Sequence, residues 1–151
     1  MRGKLYLALL ALGIVLVFIG YFYTHPSYEI SLRAKIYYEL GDYDRAYELS
    51  QEAFMLDRYN KMATTLMAQS KISKRYADYI EDAKIYLDML DHMADQDSLS
   101  SADRARIRTV CEIMISTYRK LSPSVITDKS LVDEAKELNV KFERLLEKAN
   151  Q

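Results

Sequence analysis

Residues 37–60 read YYELGDYDRAYELSQEAFMLDRYN, and their spacing dictates a three-dimensional unit. Tyr37, Tyr38 and Leu40 close one apolar helical face, Gly41 and Asp42 break it, and a second amphipathic run opens at Tyr43, with Ala46, Leu49, Ala53 and Leu56 at helical intervals. Two antiparallel helices joined by a tight turn follow. On the N-terminal side, Pro26 cannot continue a helix that precedes it and Ser27 can cap the next one. The first helix is therefore expected over 27–40 and the second over 43–56.

Downstream, Met62, Leu66, Met67, Ser70 and Ile72 give a less apolar helix to about residue 73, and Tyr79, Ile80, Ala83, Tyr86, Leu87 and Leu90 line a longer one over about 76–94. Ala83 and Leu90 stand 37 positions after Ala46 and Ala53. The spacing predicts a second, degenerate helix hairpin over 61–95, with Lys74 and Arg75 where a turn glycine would stand. After a polar loop, Ser100 and Asp103 have the spacing of a capping box, which starts a helix near residue 101 that buries Ala105, Ile107, Val110, Cys111, Met114, Ile115 and Tyr118. Ser122, Pro123 and Ser124 end it near 121. A last helix over about 128–149 carries Leu131, Ala135, Leu138, Phe142, Leu145 and Ala149 on one stripe, so residues 100–151 form a third helix pair.

Composition supports helix throughout. Four Gly, two Pro and no Trp in 151 residues leave little for a hairpin-rich β fold. The net charge of −1 carries no electrostatic footprint for nucleic acid. Cys111 is the only cysteine, which excludes an intramolecular disulfide and a cysteine-based zinc site, and its apolar neighbours make it a small buried hydrophobe.

Residues 5–23, LYLALLALGIVLVFIGYFY, contain no charge. As a helix they measure about 28 Å against a bilayer core of about 30 Å, which predicts a membrane span and a lipid bilayer as partner. Arg2 and Lys4 touch the run, whereas Arg33 and Lys35 lie some ten residues beyond it, so residues 1–4 are expected in the cytoplasm and residues 24–151 beyond the membrane. For a bacterium that means a single-pass inner-membrane protein with a periplasmic domain.

The order Tyr37, Gly41, Tyr43, Ala46, Ala53, ending in Asp57-Arg58-Tyr59-Asn60 where Asp-Pro-x-Asn is usual, resembles the tetratricopeptide repeat. The resemblance covers 27–60 well and 61–95 loosely. It implies close helix packing at Ala34, Ala46 and Ala53, and a partner-binding groove at Ser31, Lys35, Tyr38, Asn60, Thr65 and Gln69. Arg33, Ser50 and Arg58 depart from the pattern, where Leu, an aromatic residue and Pro are usual. The fold expected is all-α, a membrane helix followed by about three antiparallel helix pairs.

The function expected is protein binding, as a scaffold or assembly subunit of an envelope complex such as a secretion, pilus or flagellar machine, with subunits of that complex as partners. A membrane import or quality-control receptor with a cytosolic domain is one alternative. A metal- or pH-responsive module is another, because Asp88, Asp91, His92 and Asp95 fall near one helix face. A solvated acidic face is the commoner meaning of such a cluster, and no ligand set from a second element accompanies it. No nucleophile with its base, phosphate loop or dinucleotide turn stands in the sequence, so neither an enzyme nor a cofactor or resident metal is expected.

Overall fold

The computed structural model describes residues 2–94, 100–125 and 127–150, and within the first helix the side chains of 6–17 and Gly20. Its described elements are six helices: α1 (Arg2–Thr24), α2 (Pro26–Glu39), α3 (Tyr43–Leu56), α4 (Lys61–Ala94), α5 (Ser101–Arg119) and α6 (Lys129–Ala149). Two compact units divide the chain, Met1–Lys71 and Ile72–Gln151.

The α2–α3 turn forms where the sequence placed it. Gly41 has φ +82° and, among the described residues, is the one with positive φ. The amide of Gly41 donates to Tyr38 O and that of Asp42 to Tyr37 O, both at 3.0 Å. Helix α2 thus ends in a Schellman motif, whose left-handed residue favours glycine. Asp42 then caps α3 by accepting from the Arg45 amide at 3.1 Å. Between the two helices, Ala34, Ala46 and Ala53 are fully buried. Without bulky side chains there, the helix backbones approach closely.

Ser27 does not cap α2. Pro26 takes the first turn, where its missing N–H costs nothing, and the N-cap position falls on His25, whose side chain makes no capping bond to the helix. The Ser27 hydroxyl instead donates to Ala53 O at 2.8 Å, tying the start of α2 to the end of α3.

Helix α4 corrects the expected second hairpin. Residues 61–94 form one helix of 34 residues, with no turn at Lys74 and Arg75. The reason lies in its buried stripe: Ala63, Leu66, Ser70, Ser73, Tyr76, Ile80, Ala83 and Leu90 follow one another at three, four or seven positions. The stripe never loses phase, and neither Gly nor Pro interrupts it.

In the second unit, Tyr76, Tyr79, Ile80, Ala83 and Leu90 of α4 pack with Ile107, Cys111, Met114 and Ile115 of α5 and Ala135, Leu138 and Phe142 of α6. The Ser100–Asp103 capping box opens α5, with both bonds at 3.1 Å. Asp128 caps α6 through the Ser130 amide at 2.9 Å. Arg75 donates to Lys120 O at 2.8 Å, closing the C-terminus of α5, and Lys84 pairs with Glu134 across α4 and α6 at 2.7 Å. Ala105, expected in the α5 core, is exposed.

The membrane span expected at 5–23 is overturned. Among the described residues no helix is long and apolar enough to cross a membrane. Helix α1 does form, over Arg2–Thr24. The single-pass inner-membrane location, with residues 1–4 cytoplasmic and a periplasmic domain, falls with it.

Candidate interaction surface

The six residues expected to line a groove separate into two groups. Ser31 and Asn60 are fully buried. Asn60 Nδ2 donates to Ser27 Oγ at 2.8 Å, to Ser31 Oγ at 2.9 Å and to Ser27 O at 3.2 Å, while its Oδ1 accepts from the Ala63 amide at 3.1 Å. The two amide protons serve three acceptors, the 3.2 Å contact with Ser27 O sharing one of them. Each serine hydroxyl spends its one proton on a carbonyl, Ser27 on Ala53 O and Ser31 on Ser27 O, and so turns a lone pair to the amide nitrogen. Asn60 is at once the N-cap of α4 and a bolt into α2.

Lys35, Tyr38, Thr65 and Gln69 reach the surface to different degrees. Lys35 is exposed and pairs with Glu39 one turn on at 2.9 Å. Tyr38 is half-buried, its ring edge-on to Tyr43 at 5.4 Å. Tyr37 lies beneath the Arg45 guanidinium at 5.1 Å, so both tyrosines brace the hairpin turn. Thr65 is exposed and Gln69 half-buried on α4.

A second feature of the hairpin was missed in the sequence. Leu32, Ile36 and Leu40 run along α2 one turn apart at 43%, 53% and 74% exposure, and Met55, Leu56 and Tyr59 are exposed around the end of α3. Inside, the hairpin buries Ser27, Ser31, Ala34, Ala46, Ser50 and Ala53. Ser50, where the repeat pattern has an aromatic residue, bonds back to Ala46 O at 2.6 Å. The fully buried side chains are small, while Leu32, Ile36, Leu40, Met55 and Leu56 lie outside. The spacing of 32, 36 and 40 was the available signal, since it falls on a different face from 27, 31 and 34.

The acidic cluster does not converge. His92 Nε2 lies 3.7 Å from Asp88 Oδ2 with both side chains largely exposed, and Asp95 is outside the described residues. Among the described residues no group of three His, Cys, Asp or Glu side chains is placed to hold a metal ion. Burial, and then the Glu112 charge, push the Cys111 thiol up, so it stays protonated at neutral pH. A shallow groove of about 490 Å³ runs between α5 and α6, lined by Glu112, Ile115, Arg119, Glu143 and Leu146 among others.

No family model, no curated protein and no solved structure matches the chain.

Proposed function

We propose that the chain is a helical-repeat protein-interaction module of tetratricopeptide type, acting as a scaffold or assembly subunit of a multiprotein complex. The observation that carries this reading is the inverted hairpin: alanine and serine fill the α2–α3 interior while Leu32, Ile36 and Leu40 face outward. A hairpin selected for its own stability would bury the leucines, since exposing them forfeits the main favourable term of folding. A contiguous apolar row flanked by Lys35 and Glu39 suits the apolar face of a partner helix. Catalysis is not part of the proposal, because Cys111 is buried and protonated and His92 faces solvent.

The test is co-purification at native expression level, comparing Ile36→Asp and Leu40→Asp with Lys35→Glu combined with Tyr38→Ala. Interface anchors commonly cost 2 kcal/mol or more when removed, so partner recovery should fall at least about 30-fold with the aspartate variants while the melting temperature holds. Recovery of the same partners from every α2 variant would falsify the assignment of this face.

A further inference from the structure

The second unit buries two polar side-chain atoms that have no mate among the described residues. Tyr79 on α4 and Asn139 on α6 are 2% and 6% exposed, and Tyr79 Oη and Asn139 Oδ1 have no hydrogen-bond partner among the described residues. Neither group is free to turn away. Asn139 Nδ2 donates to Glu143 Oε1 at 2.9 Å, and because a carboxylate only accepts, the amide is held with its oxygen toward the interior. The Tyr79 ring rests against that of Tyr118 on α5, with centroids 5.7 Å apart. Burial, Tyr118 and the Glu143 charge together keep the Tyr79 phenol protonated, so its hydroxyl both donates and accepts. Asn139 thus offers an acceptor and Tyr79 a donor and acceptor, and Glu143 acts on both, bonding the first and raising the pKa of the second. Such a pair is costly to leave unmatched inside a core.

We propose that Tyr79 Oη and Asn139 Oδ1 are the two ends of an internal hydration site holding one water molecule between α4 and α6. A buried water needs two to four polar partners, and this one donates to the amide oxygen and exchanges a hydrogen bond with the phenol. The site makes the α4–α6 contact specific, because a slip of either helix would separate the two ends.

The experiment counts long-lived internal waters by oxygen-17 magnetic relaxation dispersion on the full chain and on Tyr79→Phe, Asn139→Leu and the double variant. The result expected is one long-lived water fewer per chain in each variant. Denaturant midpoints should also be non-additive, the double variant lying no lower than the worse single one. An unchanged water count, additive midpoints, or a midpoint raised by Tyr79→Phe would each overturn the proposal, the last by showing that the hydroxyl has no mate. Should Asn139→Leu not fold, Tyr79→Phe decides alone: loss of the water supports the site and retention removes it.

Discussion

Asn60 ties α2 and α4 of the first unit together. Its oxygen caps α4 and its nitrogen binds two serines that are themselves tied to α2 and α3. Replacing it with Ala removes the cap and the bridge together, which should cost about 2–4 kcal/mol as read by denaturant unfolding. Asp is the sharper probe. A carboxylate can still accept from the Ala63 amide but cannot donate to Ser27 and Ser31, so Asn60→Asp should lose most of the same stability and recover part of it as the pH falls and the buried carboxyl protonates. An Asp variant as stable as the parent would show that the cap alone matters. Tyr79 gives a second measurement. Burial first, then Tyr118 and Glu143, push its phenol from 10.0 up to about 12. The neutral form is favoured by folding, so this stability is complete below pH 10 and is lost as the pH rises through about 12. Between those values the melting temperature of Tyr79→Phe should fall less steeply than that of the parent. Parallel curves would place the alkaline loss elsewhere.

At the scale of elements, what the sequence revealed was local and what it hid was continuity. The Gly41 turn was legible because a left-handed residue followed by a capping Asp has few other meanings, and Ser100 with Asp103 was legible for a similar reason. The centres of the α5 and α6 stripes, Ile107 to Ile115 and Ala135 to Phe142, followed from period alone, whereas Ala105 fell outside. Helix α4 was misread because a repeat period of 37 seemed to require a turn, although Lys74 and Arg75 contain nothing that breaks a helix and the buried stripe runs straight past them. Ser31 and Asn60 were misplaced for a different reason. Repeat positions predict which way a side chain faces, whereas mutual hydrogen-bond satisfaction drew these two inward. The continuity of α4 can be tested at one position. Lys74→Pro in a helix interior removes a backbone hydrogen bond and clashes with the preceding turn, at about 3 kcal/mol or more. In a loop between two helices it would be nearly neutral. A large drop in melting temperature is expected, and a small one would restore the hairpin.

Across the whole molecule, the two units are built from different amounts of apolar material, and this should appear in how they open. Among the described residues the second unit buries Phe142, Leu138, Leu90, Ile80, Ile107, Ile115, Met114 and two tyrosines, while the first buries Leu66 as its one large aliphatic side chain and otherwise alanine, serine and Asn60. A fully buried large apolar side chain contributes about 1.5–3 kcal/mol, so the first unit has far less hydrophobic stabilisation and depends on close helix packing and the Asn60 bonds. Local opening free energies follow apolar burial, and surfaces that accept partners are drawn from the less stable end. Native-state hydrogen exchange should therefore find the slowest amides in α5, α6 and residues 76–90 of α4, with α2 and α3 exchanging at least about tenfold faster. Asn60→Ala should speed α2 and α3 further and leave α6 unchanged. Helices α2 and α6 slowing and quickening together under both conditions would mean that the chain opens as one cooperative body, and the inverted hairpin would then owe its stability to the rest of the molecule.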